Sequence, residues 1–310
     1  MTIGVTIPAS DTYAAANLVD EFVVQTREAA DAGLSSVWFP QLLDYDAVTV
    51  AAVAGREIPG ISVGTGVVPL YPRHPLLVSA LAQTAQAATG GRFTLGLGLG
   101  AKPFLEPVFG QPFPPQIEHL REYLTVLRPL VSGEETEFDG ETVSLHPSMP
   151  TAVPGAKPVP IVVAAMGPRA LAVAGELADG TLPYLAGPKA LSTSVVPVIG
   201  RAAESAGRPA PKVIAVFPAV VTGEVEATRE LLAERLAVYD TIPSYQRILA
   251  AEGVSRAAEL AVIGDEQTIA AAVGRYFDAG ATEVVISQAG VRSSEDRLRT
   301  WKLLGELNKR

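Results

Sequence analysis

Apolar residues fall in two alternating rhythms along this chain. Short runs rich in Val, Ile and other apolar residues, with few charges, occupy positions 3–7, 36–39, 61–68, 93–99, 159–164, 181–185, 213–221 and 283–287. Unbroken apolar runs of this length predict strands buried on both faces. Longer segments between them place apolar residues three and four apart and predict helices at 14–32, 47–56, 76–88, 116–131, 168–178, 189–206, 265–278 and 294–307. Two further helices are expected at 225–239 and 245–251. Breaks fall where the chemistry demands them. Ser10–Asp11 interrupts the first strand–helix link, Pro69 and Pro72 stop the third strand, and Gly90–Gly91 ends the helix that Pro75 opens. Asp265 is a good helix N-cap.

Buried strands joined by helices must lie parallel, because each crossover returns the chain to the same edge. Two segments echo each other: after Arg27 and again after Arg275 the order is helix, Asp-Ala-Gly, strand. About eight such alternations of roughly 39 residues predict a (β/α)8 TIM barrel over residues 1–310, with a doubly wound open sheet as the alternative. The rhythm fails only at 132–158, where a hairpin around Asp139–Gly140 and a proline-rich tail read as an insertion after the fourth helix. The segment 103–115, dense in proline and Phe, reads as a loop.

Composition narrows the chemistry. With 48% hydrophobic residues in 310 the chain can bury a large core. It has no Cys, which removes disulfides and thiolate chemistry, and its three His are scattered, so no metal site is expected. A formal net charge of −9 opposes nucleic-acid binding. Neither a membrane span nor a basic-then-apolar leader is visible, so a cytoplasmic protein acting on a small molecule is expected.

Two loops are candidate ligand sites. The segment 96–103 (GLGLGAKP) follows the fourth strand but is no dinucleotide fingerprint, since Pro103 stands where the third glycine belongs. Gly98, Gly100 and Lys102 suit a ligand–backbone contact at the carboxyl end of a strand. Glycines that let strands pack closely fit the same positions, and packing is the better reading for Gly96. The second loop, Ala165-Met166-Gly167-Pro168-Arg169, opens a helix with free N–H groups and a cation, as an anion site requires. An ordinary strand–helix turn with a solvated arginine fits it equally well.

The stretches SSVWFPQ, VGTGVVPLYPRHP, GGRFTLGLGLG and AAMGPRALAVAGELADG, in this order and spacing, resemble the bacterial luciferase-like flavin/deazaflavin family, and most closely its F420-dependent oxidoreductase branch of actinobacterial type. The resemblance spans the whole chain. It implies a TIM barrel with the cofactor at the carboxyl ends of the strands, and a non-prolyl cis peptide at Gly66–Val67 against the ring. Cofactor contacts are implied at Gly64, Thr65, Gly66 and Val67, at Gly98, Gly100, Ala101 and Lys102, and at Ala165, Met166, Gly167 and Arg169. The implied activity is hydride transfer between coenzyme F420 and an unsaturated organic substrate. An FMN-dependent monooxygenase and a non-catalytic F420-binding protein are the alternatives, and a homodimer is implied.

The chain also departs from the family. Where its sugar-phosphate dehydrogenases carry an Asp-His pair and a Glu, this sequence has Gln41, Leu42 and Ala101. Losing that acid/base set points toward a reductase. His74, after the implied bulge, is the candidate catalytic group, with Tyr71 and Arg73 beside it. A helix-entry residue bonded to a neighbouring carbonyl is its alternative, and Glu106 could be an acid but reads better as a solvated loop carboxylate. Trp38, Phe39, Phe104, Phe109 and Phe113 are candidates to line an apolar pocket, although Trp38 reads better as core. A pocket built from 103–115 and the segment near 240–250 is expected for an apolar substrate, and His119 and His146 read as surface residues.

Overall fold

The computed structural model describes residues 1–7 and 15–309. The strands form in the predicted order: β1 (Ile3–Thr6), β2 (Ser36–Phe39), β3 (Ser62–Thr65), β4 (Phe93–Gly98), β5 (Ile161–Ala164), β6 (Gly180–Thr181), β7 (Lys212–Val221) and β8 (Glu283–Ser287). Each pairs in parallel with the next, and β8 returns to β1 with Ile3 opposite Val284, so the ring closes. Closure makes this a (β/α)8 TIM barrel and sets aside the open sheet. Two short strands extend it at one end: Val68–Pro69 beside β4 and Val262–Gly264 beside β7.

The outer layer consists of α1 (Leu18–Ala32), α2 (Ala47–Glu57), α3 (Pro75–Ala88), α4 (Gln116–Val131), α5 (Pro168–Leu177), α6 (Val196–Ser205), α7 (Glu266–Asp278) and α8 (Ser294–Asn308). Capping explains their ends. The Asn17 side chain accepts from the Val19 N–H at 3.0 Å and starts α1 at Leu18, later than the pattern suggested. The break at Ser10–Asp11 and the predicted start at Ala14 lie outside the described residues. Gly33 ends α1 at φ +92°, a conformation few other residues tolerate. Asp265 caps α7 as expected, accepting from Thr268 N–H at 2.9 Å.

Several elements differ from the sequence reading; the strand expected at 61–68 breaks after Thr65, and the helix expected at 225–239 ends at Leu236. Lys102–Phe109 is a short helix, not a loop. Pro103 sits in its first turn, where the missing N–H costs nothing, and a single turn follows before Gly110 at φ +63°. The run 181–185 pairs only at its start, because Pro183 has no N–H to donate and Leu185 turns to φ +60°; Tyr184 still bridges to Val216. The helix expected at 189–206 is broken into Pro188–Ala190, a π-helical turn Leu191–Val195 and α6, with Pro197 in the first turn of α6.

Alternation along the strands sorts the core into two shells. Trp38, Val162, Leu182, Ile214, Val216 and Val285 pack together inside the ring. Their sequence neighbours, including Val37, Val163, Ala215 and Ile286, face the helices. At the amino-terminal end of the ring the Glu283 carboxyl is buried. It accepts from the Ser36 hydroxyl at 2.5 Å and the Trp38 indole N–H at 3.1 Å. Burial pushes its pKa above the ordinary carboxylate range, against the effect of those hydrogen bonds.

The segment after α4 carries the expected hairpin, Phe138–Asp139 against Ser144–Leu145. It is tied to the barrel helices by side-chain bonds. Glu122 accepts from the N–H groups of Glu141, Thr142 and Val143, and Gln83 donates to the carbonyls of Leu130 and Thr151.

Candidate active site

A cavity of about 650 Å³ opens at the carboxyl ends of the strands. One wall is backbone and small side chains: Gly66 and Val67 after β3, and Ala164 at the end of β5. The Gly66–Val67 peptide is cis, at the position the resemblance implied. Val67 rests on Gly98, where an added Cβ would come within 2.6 Å of the valine Cγ2. Gly96, two residues earlier, faces the Thr65 carbonyl so closely that any Cβ would overlap it. The Thr65 hydroxyl is fully occupied, donating to Gly96 O and accepting from Gly96 N–H, both at 2.9 Å. Gly64 lies against the Trp38 ring. Of the four residues implied here, Gly66 and Val67 therefore reach the cavity, while Gly64 and Thr65 are buried beneath it.

The two candidate loops emerge side by side, because Gly98 pairs with Ala164 across β4 and β5. Gly100 takes φ +75° with Leu105 packed where a side chain would go, and its carbonyl accepts from Gln116. Ala101 caps the short helix, and Lys102 is exposed beside Glu106 at 3.7 Å. Ala165 is buried, Met166 and Gly167 are half-buried, and Gly167 is the N-cap of α5 with open space where a Cβ would stand. Arg169, in the first turn of α5, is exposed and makes no ion pair among the described residues. An N-terminal turn with free N–H groups and an unpaired guanidinium is what a phosphate needs.

The opposite wall comes from β6, β7 and β8 and from the chain between β7 and α7. Tyr184, Leu236, Tyr239, Tyr245, Ser287 and Gln288 form it. Tyr239 and Tyr245 lie in and after a short 3-10 turn, Ala237–Thr241, that joins the helices Val225–Leu236 and Pro243–Glu252. Sequence reasoning placed only the neighbourhood of 240–250 here and named neither Tyr184 nor Tyr239. Their signal was weak, since each is an isolated tyrosine outside any motif.

The loop 103–115, expected at the same pocket, lines a different one. A second cavity of about 370 Å³ lies between Tyr71, Arg73, His74, Pro112, His119 and Thr142. Phe113 and Phe109 pack on Tyr71 there, with ring centroids 4.7 and 5.8 Å away. His74 belongs to this second cavity. Its Nδ1 accepts from Leu76 N–H at 3.2 Å as the N-cap of α3, and its Nε2 lies 3.0 Å from the Ser144 carbonyl. Both ring nitrogens are thus engaged, and neither is free. His119, expected at the surface, is half-buried against Tyr123, and burial lowers its pKa. Trp38 is core, as read.

Gln41 and Leu42 do line the main cavity. The Gln41 carboxamide is spent on structure: its Oε1 accepts from Ala47 N–H at 3.0 Å and from Arg73 at 3.1 Å, and its Nε2 donates to the carbonyls of Leu42 and Tyr45. Among the described residues that line the cavity there is no carboxylate and no imidazole; Arg235 is the one formal charge. Its guanidinium donates to the Ala289 carbonyl at 2.8 Å. Among the described residues no cluster of His, Asp and Glu is placed to hold a metal, and no helix is long and apolar enough to cross a membrane.

Residues 1–283 match the family described as luciferase-like monooxygenase. A putative coenzyme F420-dependent oxidoreductase of Mycobacterium tuberculosis is 31% identical over 173 residues, covering 52% of this chain and 50% of that protein. The chain spans about half the length of the curated relatives it matches first. Among solved structures, an F420-dependent secondary alcohol dehydrogenase in complex with an F420–acetone adduct superposes with a TM-score of 0.78 at 18% identity, over 98% of this chain and 97% of the other. The FMN-bound oxygenating constituent of 3,6-diketocamphane monooxygenase from Pseudomonas putida gives 0.76 at 15%, over 99% and 97%. Identities this low speak for the fold alone.

Proposed function

This chain belongs to the luciferase-like monooxygenase family, and from that premise we propose that it is an oxidoreductase that binds a (deaza)flavin, coenzyme F420, at the mouth of its barrel. The observation that carries this is the flat wall of the cavity, made of Gly66, Val67 and Ala164, with Gly98 leaving room beneath Val67. A planar ring needs such a surface, and side chains projecting from it would hold the ring away. The residues present fit the group: Gly66 and Val67 support the ring, while the Gly167 turn and Arg169 offer N–H groups and a positive charge to its phosphate. Gly98 lies beneath Val67, and Gly100, Ala101 and Lys102 follow β4 next to the chain leaving β5; none of the four is among the residues that line the cavity. The relative named as F420-dependent favours the deazaflavin over FMN.

When bound, F420 supplies the hydride, and the protein supplies position and a water-poor surround. The cavity walls hold no carboxylate or imidazole among the described residues to take a proton from an alcohol. Reduction of an unsaturated substrate is accordingly the favoured direction. His74, with both ring nitrogens engaged, acts by fixing the entry of α3 and the hairpin. Anaerobic oxidation of reduced F420 in the presence of enones, ketones and quinones tests this reading. Turnover with at least one class is expected; silence across the panel, with oxygen-dependent turnover on reduced FMN, would replace it with the monooxygenase reading.

A further inference from the structure

Three phenols make a continuous strip on the cavity wall opposite the proposed ring site. Tyr184 meets Tyr239 edge-on at 5.3 Å between centroids, and Tyr239 meets Tyr245 at 4.7 Å. They come from separate parts of the chain, the turn after β6, the 3-10 turn Ala237–Thr241 and the helix Pro243–Glu252, so the strip is a product of folding. Their polar ends are treated differently. Tyr184 has a side-chain hydrogen bond with Ser287. The hydroxyls of Tyr239 and Tyr245 have no hydrogen-bond partner among the described residues, and neither is sealed away in the protein; both residues line the cavity. Buried phenols ordinarily find a partner.

We propose that Tyr239 and Tyr245 are the substrate-recognition residues of this site, their hydroxyls donating to the carbonyl oxygen of an uncharged, largely apolar carbonyl compound. This rests on the oxidoreductase reading and adds the substrate class to it. Three features support that chemistry. Burial holds the pKa of both phenols above the ordinary tyrosine value, so they stay protonated and act as donors. Leu182, Val216 and Leu236 supply an apolar bed around them. Among the described residues that line the cavity, Arg235 is the one cation available to a substrate carboxylate or phosphate, and it is exposed and already bonded to Ala289. Burying an unpaired charge is costly, so a neutral molecule is selected.

The test uses the purified full chain without cofactor and a chromophoric aldehyde, 4-(dimethylamino)cinnamaldehyde, whose absorption moves to longer wavelength when its carbonyl oxygen accepts a strong hydrogen bond. Wild-type protein is expected to bind it with a red-shifted band. Tyr239→Phe and Tyr245→Phe keep the rings and should each weaken binding about threefold to tenfold, the span of one neutral hydrogen bond, and reduce the shift. The double variant should abolish the shift. The corresponding cinnamate anion should bind at least tenfold more weakly than the aldehyde. Failure of the wild type to bind, an unchanged band in the double variant, or equal binding of the anion would each overturn the proposal. Thermal melts of the Phe variants check that the fold is intact. Because no cofactor is present, the outcome is independent of whether F420 binds.

Discussion

Gly96 and Gly98 lie two residues apart on β4 and face the same side, yet adding one methyl group to each should have opposite kinds of consequence. At Gly98 the new Cβ would lie 2.6 Å from Val67 Cγ2, and the next non-neighbouring atom among the described residues is Val67 Cβ at 3.7 Å. Restoring an ordinary carbon–carbon contact requires that side chain to retreat by about 1 Å. Val67 is half-exposed on the cavity wall, so it can move. The cost should sit at the low end of overpacking, about 1 kcal/mol, or a fall in Tm of roughly 2–4 °C. The displaced methyl groups would then intrude on the surface proposed for the ring, and the Kd for F420 should rise about tenfold or more. At Gly96 the obstacle is the Thr65 carbonyl, backbone of the adjacent strand, which is also locked by the two Thr65–Gly96 side-chain bonds. Nothing there can rotate aside, and β3 and β4 would have to separate. A loss of roughly 3 kcal/mol or more is expected, about 10 °C in Tm or failure to accumulate as folded protein. Differential scanning calorimetry with an F420 fluorescence titration separates the two. Wild-type affinity in Gly98→Ala, or a wild-type melt in Gly96→Ala, would refute the reasoning.

Other outcomes follow from single contacts. Glu283→Gln keeps an acceptor for Ser36 and Trp38 but cannot ionise. The folded-state pKa of Glu283 is raised, so its contribution is fully present below the unfolded carboxylate pKa and is lost as pH rises through the folded value. The difference in Tm between variant and wild type should thus move in the variant's favour as pH rises from 4 to 8, and a pH-independent difference would contradict the assignment. His74→Ala should destabilise by about 1 kcal/mol through loss of a helix cap, with His74→Asn restoring most of it and both keeping turnover per folded molecule. A collapse of turnover in His74→Asn with an unchanged melt would make His74 catalytic after all. Arg169→Ala should leave the melt unchanged, because Arg169 is exposed, and weaken F420 binding, more so at low ionic strength. Equal loss at low and high salt would argue against a phosphate contact.

The barrel was legible because its signal is repeated: each buried strand is short, apolar and bounded by a glycine or proline, and Asp265 and Gly33 mark helix ends by mechanisms that act locally. One wall of the cavity was legible in part: the resemblance implied Gly66 and Val67, which line it, whereas Gly98 packs beneath Val67. The tyrosine wall was not. Tyr184 lies beyond a strand that Pro183 and Leu185 cut short, and Tyr239 sits in a 3-10 turn, so only long-range packing brings the two rings within 5.3 Å. His74 took its alternative reading, a helix-entry residue bonded to a carbonyl. Its place after Gly66–Val67 suggested chemistry, but the chain turns at the Tyr71–Pro72 cis peptide and delivers it to the top of α3, where the Ser144 carbonyl claims Nε2. The loop 103–115 was assigned to the substrate on composition, yet a helix of eight residues carries Phe109 toward Tyr71 and the second cavity.

The central claim is that the carboxyl end of this barrel is built for a deazaflavin. Equilibrium titration of the purified chain with F420 and, separately, with FMN tests it most directly, following deazaflavin or flavin fluorescence. Saturable F420 binding at micromolar concentration or tighter, with FMN much weaker, is the predicted result. No saturable binding of F420 at any accessible concentration would contradict it.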